Sequence, residues 1–527
     1  MQRANRYFGD CAGDLRIPSG LTCFAALLTL AIAEPASAAW YQAKTTHFVI
    51  YSDDDPGRLR DFATRLERFD KAVRTVRKMD DPPLTDSGRL TVYALRSTDA
   101  VGALVGNSGV AGLYRESAAG SVAFVPRRSG GDKFDLDAES IFFHEYAHHL
   151  QLQYSAMALP MWLTEGFAEF FATAEIKEDG SVLMGSAPLY RGQSLYDDNS
   201  GLALEEMVGE RFNRLNAVQV DRLYGMGWLL THYLTFEKSR AGQLERYVRA
   251  IQSGLAPLAA AKSAFGDLGK LKHELEKYKN APLPGLRVDP KYLVIAPIDV
   301  QPLAPGEAAM MNVRIQSDRG SSGKAAAIAA DARKIAASYP GNAAVQTELA
   351  QAELNAKDYA AAARAAEIAL AADPTSVHAS IYKGRAQMEL AKADPQHANW
   401  EAIRQWFVKA NRIDTENAEP LMLFYDSFRA AGQNAPPDAV KGLLYAVDLA
   451  PRDQNLRKRA VRELLSEGRL AEAKEMFTPL AFRPHATAKT RDFNERIMAA
   501  MSNGDGPAAL KIINEEENAD NQDGTGS

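Results

Sequence analysis

Apolar residues follow two different patterns along this chain, and the change between them divides it in two. In the first part, short apolar runs predict strands at 48–51, 90–95 and 121–125, with a helix over 56–78 after the first strand. Beyond residue 320 the sequence becomes alanine-rich and helical. The pattern therefore predicts an α+β domain followed by an all-α region.

Residues 141–172 read IFFHEYAHHLQLQYSAMALPMWLTEGFAEFFA and contain the most informative motif. His144 and His148 are four residues apart, so on a helix both imidazoles can point at one zinc ion. Glu145, one step round the helix, is placed to touch a water on that zinc rather than to bind the metal. After 16 intervening residues, a second helix brings back Glu165 as a third ligand, which leaves one tetrahedral position open.

The run from His144 through PMWLTEGFAEFF resembles the gluzincin metallopeptidases, in particular the M1 aminopeptidase-like clan and the bacterial peptidase-MA-like domains. The resemblance implies a zincin-like fold in which Glu165 is the third zinc ligand. It also implies that Glu169, one turn later, is a carboxylate that fixes the tautomer of a zinc-bound histidine. His149 faces another way and is expected to pack, or to support the ligands from behind, rather than to bind zinc. The other interpretation is a decayed fold without metal.

Residues 223–234 read LYGMGWLLTHYL, which resembles the helix of the same clan with the pattern Y-x-x-G-x-x-L-x-x-Y-L. By that resemblance Tyr224 donates a hydrogen bond to the oxyanion, which a protonated phenol can do at neutral pH. A core tyrosine is the alternative, and His232 is expected to be structural. The GxMEN segment of the aminopeptidases does not occur between residues 101 and 140, so an endopeptidase is favoured over an aminopeptidase.

Zincin domains place a short sheet beside the active-site helix, and residues 121–126 lie just upstream of that helix. We expect them to form the edge strand, which could bind an extended substrate by backbone hydrogen bonds until Pro126 ends the pairing. A purely structural strand is the alternative.

Residues 1–39 have the pattern of a signal peptide. Three arginines precede an apolar run at 21–33, and small residues at 35–39 suit a signal-peptidase site. The apolar run is too short to span a bilayer, so cleavage is predicted, with an uncleaved anchor as the alternative. The mature protein is then exported, periplasmic or secreted, without a stable membrane span. Cys11 and Cys23 are both removed, so it has no cysteine for disulfides or zinc.

Composition excludes some classes of partner. The chain is 46% hydrophobic and 24% charged with a net charge of −6, which is ordinary for a globular protein of two to four domains. The sequence has no basic patch of the kind that would indicate nucleic-acid binding.

The later part of the chain predicts repeats after a linker. Residues 282–320 are Pro-rich, with alternating runs at 292–296 and 311–315, and indicate a linker or a small β addition. Beyond them, DYAAAARAAEIALAADP ends one of several units that resemble tetratricopeptide repeats, a family whose stacked helices often bind peptide segments. The units end at the pairs 339–340, 373–374, 413–414, 450–451 and 483–484.

Together these features predict an α+β zincin-like metallopeptidase domain followed by an all-α tetratricopeptide-repeat solenoid. The predicted segments are a signal peptide (1–39), the peptidase domain (40–281), the linker (282–320), the repeats (321–485), and a C-terminal helix with a disordered acidic tail from residue 514 (486–527). The predicted function is zinc-dependent hydrolysis of peptide bonds in a protein or peptide substrate, with repeats that recruit substrate or a protein partner. The alternative is a tetratricopeptide scaffold whose zincin domain is inactive.

Overall fold

A mixed six-stranded sheet organises the N-terminal region. The strands are β1 Tyr41–Lys44, β2 Phe48–Ser52, β3 Leu90–Leu95, β4 Leu113–Ser117, β5 Gly120–Pro126, β6 Glu175–Ile176, β7 Val182–Met184, β8 Leu286–Val288 and β9 Asp299–Pro302. The large sheet has the order β4-β5-β3-β2-β1-β9, and β6, β7 and β8 form a small second sheet. β3 runs parallel to both β2 and β5, whereas the other neighbours in the large sheet are antiparallel.

The structure is a computed structural model, and it describes part of the chain. The described residues are 39–107, 110, 112–127, 137–153, 159–196, 201–209, 215–320, 322–481 and 487–522. They belong to one unit, Ala38–Ser527. The predicted signal peptide therefore lies outside the described residues, apart from Ala39.

Three strands were predicted, and all three are confirmed at 48–52, 90–95 and 120–126. The expectation that 121–126 is the edge strand is wrong. β5 pairs with β3 on one side and with β4 on the other, so β4 is the end strand at this edge of the sheet. The sequence LYRES of β4 mixes polar and apolar residues without a strict alternation, which is why the pattern did not reveal it.

Helices cover both faces of the large sheet. In the N-terminal region they are α1 Pro56–Arg77, α2 Thr98–Val105, α3 Ala138–Gln153, α4 Met161–Ala172, α5 Gly192–Tyr196, α6 Leu204–Gly209, α7 Ala217–Phe236, α8 Gln243–Gln252, α9 Pro257–Phe265 and α10 Leu268–Tyr278. The predicted helix 56–78 is confirmed as α1, which begins with Pro56 after an Asp55 cap and stops where Lys78 turns left-handed (φ 53°).

Helices α4 and α7 approach until their backbones touch. A Cβ atom on Gly166 of α4 would lie 2.3 Å from the carbonyl oxygen of Gly227 in α7. A Cβ atom on Gly227 would lie 2.6 Å from the carbonyl oxygen of Trp162. Only glycine fits at both positions, so this pair sets the distance between the two helices.

The segment 282–320, predicted as a linker or a small β addition, contains β8, β9 and a helix. β9 extends the large sheet beside β1, and α11 Pro305–Arg319 follows it. The alternating run 311–315 is therefore helical, contrary to its strand-like pattern. The helix is buried on two faces: Met311 and Ile315 pack against the sheet, while Met310 and Val313 pack against the helices that follow. A helix that is buried on two faces can have apolar residues at alternate positions, which is the pattern of a strand.

A long run of packed helical pairs completes the chain. These helices are α12 Ala325–Ser338, α13 Ala343–Asn355, α14 Tyr359–Ala372, α15 Val377–Ala391, α16 Trp400–Ile413, α17 Ala418–Ala430, α18 Pro437–Leu449, α19 Gln454–Ser466, α20 Leu470–Ala481, α21 Ala488–Ser502 and α22 Gly506–Gln522. We call α12–α22 the helical array. The pairs predicted to end units lie where α12, α14, α16 and α18 end, and 483–484 lies outside the described residues.

The C-terminal helix is longer than expected. α22 runs to Gln522, so residues 514–522 of the expected disordered tail are helical, and 523–527 lie outside the described residues. None of the helices that the structure describes combines the length and hydropathy needed to cross a bilayer.

Gly166→Ala should lower the free energy of unfolding by about 1–3 kcal/mol, because the added methyl group forces α4 and α7 apart. Gly442→Ala is the matched control, since its Cβ atom would lie 3.6 Å from Leu421, an ordinary contact. That change should be neutral or stabilising by up to about 1 kcal/mol. Urea denaturation measures both, and a Gly166→Ala protein as stable as wild type would contradict the close approach.

Glu348 of α13 should make stability depend on pH. Burial raises the pKa of Glu348 from 4.5 to about 7, although Arg314 opposes the shift. The folded protein therefore holds this proton more tightly, and the stability it contributes is lost as pH rises from about 4.5 through 7. Glu348→Gln should be more stable than wild type at pH 8, by at most about 3 kcal/mol, with a smaller difference at pH 5. Exposed Glu401→Gln is the control, and an equal difference at both pH values would contradict this assignment.

Candidate metal centre

Two histidines of α3 form the base of the site. His144 and His148 are one helical turn apart, and their Nε2 atoms lie 3.2 Å from each other. The two rings are almost perpendicular, at 88°, with centroids 4.8 Å apart. Both imidazoles thus present the same nitrogen to one point.

Helix α4 brings a carboxylate to that point. Glu165 is fully buried, and its Oε2 atom lies 3.3 Å from His144 Nε2 and 3.4 Å from His148 Nε2. The three residues therefore form a group that could hold a metal ion.

The electrostatic surroundings of the group favour a cation. Burial opposes a proton on His144, yet the hydrogen bond and charge of Glu165, together with the charges of Glu169 and Glu145, raise its pKa overall. The same negative potential favours a metal cation. Glu145 itself is partly exposed beside His144.

Glu169 lies behind the first histidine. Its Oε1 atom is 3.8 Å from His144 Nδ1, so it is close to the ring atom that would not face a metal. Arg191 donates to Glu169 from Nε at 3.0 Å and from a terminal nitrogen at 2.9 Å, and the Tyr190 hydroxyl donates at 2.6 Å. Arg191 also donates to Asp221 at 2.7 Å. Sequence reasoning missed Tyr190 and Arg191, because they lie in a short 3-10 turn without a motif.

The structure also brings Tyr224 to the group. Its ring is nearly parallel to that of His144, with centroids 5.9 Å apart. The guanidinium carbon of Arg191 lies 4.7 Å from the centroid of the Tyr224 ring. Burial raises the pKa of Tyr224 far above its usual range, and the Glu165 carboxylate, its hydrogen-bond partner, adds to the shift. The phenol therefore keeps its proton at neutral pH.

The two other histidines considered from the sequence point elsewhere. His149 Nδ1 lies 2.7 Å from the Tyr114 hydroxyl on β4. His232 is buried, with Nε2 3.0 Å from the Pro284 carbonyl oxygen and Nδ1 2.9 Å from the Tyr278 hydroxyl. Burial lowers the pKa of His232 to about 4, so it is neutral and packed.

A second group of possible metal ligands consists of His47, Asp70 and Asp81. Here cations already bind the carboxylates: Arg74 Nε lies 2.8 Å from Asp70, and Lys71 Nζ lies 2.7 Å from Asp81. Burial opposes a charge on His47, but its hydrogen bond to Glu67 and the charge of Asp70 raise its pKa overall. This second group is therefore an ion-pair network, and a metal would have to displace its cations.

The ion-pair network also holds α3 in place. The Tyr146 hydroxyl donates to Asp70 of α1 at 2.8 Å, and Tyr146 lies midway between His144 and His148 in the sequence. A buried hydrogen bond to a carboxylate is among the stronger ones in a protein. It fixes the rotation of α3, and hence the direction of both imidazoles.

Comparison with protein-family models and with curated proteins finds no match to this chain. The interpretation of the site therefore depends on its own geometry.

His148→Ala should abolish tight metal binding, because two donor atoms would remain of three. His47→Gln is the matched control from the ion-pair network and should keep about one metal ion per folded chain. Metal content of gel-filtered protein, measured by mass spectrometry after exposure to divalent metals, decides between the groups. Metal retained in His148→Ala but lost in His47→Gln would reverse the assignment.

Proposed function

We propose that this protein is an exported zinc metallopeptidase of the gluzincin type that hydrolyses a protein or peptide substrate. The observation that carries the proposal is the triangle of donor atoms, with sides of 3.2, 3.3 and 3.4 Å. Tetrahedral zinc with bonds of about 2.0–2.1 Å separates neighbouring ligand atoms by about 3.3–3.4 Å. The donor set of two imidazoles and one carboxylate fits a catalytic zinc site with one open position.

Glu145 is the proposed general base. A bound zinc ion would supply a Lewis acid that activates water at neutral pH. Glu145, partly exposed beside His144, accepts the proton of the attacking water and passes it to the leaving amine. Glu169, held by Arg191 and Tyr190, keeps the ring of His144 in the orientation that presents Nε2.

Tyr224 is the proposed donor to the oxyanion. It lies beside the candidate ligands, and its raised pKa keeps the hydroxyl protonated when negative charge develops on the carbonyl oxygen. Arg191, whose guanidinium carbon lies 4.7 Å from the centroid of the Tyr224 ring, adds positive potential beside that residue.

The position of β4 supports an extended peptide substrate. β4 is one of the two end strands of the large sheet, and its Tyr114 touches His149, the neighbour of His148. An end strand can bind an extended chain through backbone hydrogen bonds, which suits an endopeptidase. We also propose that the helical array consists of tetratricopeptide-like repeats that recruit substrate or a protein partner.

Glu145→Gln tests the enzyme against the scaffold. The change keeps the size of the side chain and leaves the three ligands intact, so metal content and melting temperature should be unchanged. Hydrolysis should fall by about 10²–10⁴, because the proton acceptor is lost. Glu139→Gln, on the same helix but paired with Arg65, should keep its activity.

A Glu145→Gln protein that cleaves peptides at the wild-type rate would remove Glu145 from the mechanism. If it also restores a deletion strain fully, while a chain without the helical array does not, the scaffold alternative is correct.

A further inference from the structure

The tip of the hairpin formed by β4 and β5 is buried in the helical array. Ala118, at this tip, belongs to one apolar cluster with Tyr425, Val440, Leu443 and Val447 of helices α17 and α18. These residues are more than 300 positions away in the sequence. The end strand of the sheet is therefore anchored by helices from the other end of the chain.

Two hydrogen bonds join the turn between α18 and α19 to the hairpin. The Ala118 amide donates to Asp453 Oδ2 at 2.7 Å, and the Arg452 amide donates to Glu116 Oε1 at 2.8 Å. The Arg452 guanidinium lies 4.8 Å over the ring of Tyr114. Both carboxylates are charged acceptors, which makes such bonds stronger than neutral ones.

These contacts continue to the candidate metal centre. On β4, the Tyr114 hydroxyl donates to Glu116 Oε2 at 3.0 Å and lies 2.7 Å from His149 Nδ1. His149 Nδ1 is 3.6 Å from the same Glu116 oxygen. His149 directly follows His148 in α3. A continuous set of polar contacts thus connects the helical array, the end strand and the helix of the two histidines.

We propose that helices α17–α19 position the end strand β4 for substrate binding, with Arg452 and Asp453 as positioning residues. This proposal rests on the proposed peptidase function. Neither residue touches the reacting atoms. They hold the strand against which an extended peptide would pair, so their loss weakens substrate binding and leaves the chemical step intact.

Asp453→Ser tests the proposal, because the carboxylate has two separable tasks. Its Oδ1 atom caps α19 by accepting from the Leu456 amide at 2.9 Å, and serine can replace that cap. Serine is too short to reach Ala118 as well. Asp358→Ser is the matched control, since Asp358 caps α14 through the Ala361 amide at 3.0 Å and lies away from the hairpin.

Hydrogen exchange and kinetics on the full zinc-loaded chain give the readouts. Backbone amides of residues 113–120 should exchange with solvent about tenfold faster in Asp453→Ser than in wild type, as expected for the loss of one hydrogen bond to a charged group. In Asp358→Ser their exchange rates should equal those of wild type. For a quenched fluorescent peptide that wild type cleaves, KM should rise at least about threefold with kcat and metal content unchanged. Arg452→Ala, which removes only the cation over Tyr114, should shift both readouts in the same direction.

Exchange rates at 113–120 equal to those of wild type in Asp453→Ser and in Arg452→Ala would overturn the proposal. A lower kcat at unchanged KM in these two variants would also overturn it. A wild-type protein that binds zinc but cleaves no peptide would overturn the proposed function instead. The exchange rates would then still decide whether the array supports β4.

Discussion

The contact between Gly166 and Gly227 is the constraint on which the candidate site depends. Neither helix could carry a Cβ atom there, since each would come within 2.6 Å of a carbonyl oxygen of the other helix. Their contact lets α4 and α7 lie backbone against backbone, flanked by buried Trp162 and Trp228. Glu165 precedes one glycine directly and Tyr224 precedes the other by one turn, so the close approach brings carboxylate and phenol together.

Two separate polar contacts restrain helix α3 beside α4 and α7. Tyr146 ties it to Asp70 in the buried ion-pair network, and His149 ties it to Tyr114 of β4. Buried charges are costly unless each is paired, and here paired charges fix the rotation of one helix. Tyr146 lies midway between His144 and His148 in the sequence, and His149 directly follows His148. The two contacts therefore restrain the helix at the same turns that carry both imidazoles.

Much of this arrangement could be predicted from local patterns. The strands at β2, β3 and β5 and the helix α1 follow from the apolar pattern, and the helical spacing of His144 and His148 implies a shared point. The role of Glu165 came from resemblance to a family, and the structure places its carboxylate within 3.4 Å of both histidines.

Other features depend on long-range packing that a local pattern does not contain. Arg191 is close to Glu169 and Tyr224 because of the way α4, α7 and the turn between them pack, and no motif marks it. β4 is held by its pairing with β5 and by α17 and α18, which cover the tip of the hairpin. Its sequence, LYRES, therefore forms a strand without alternating apolar and polar residues. Helix α11, buried on two faces, gave a misleading pattern for the same reason.

The central claim is that His144, His148 and Glu165 hold one zinc ion. Diffraction from crystals of zinc-loaded protein, collected on both sides of the zinc absorption edge, tests it most directly. We predict one strong anomalous peak about 2.0–2.1 Å from both Nε2 atoms and from a Glu165 oxygen. The absence of a peak there, or a peak among His47, Asp70 and Asp81 instead, would contradict the account.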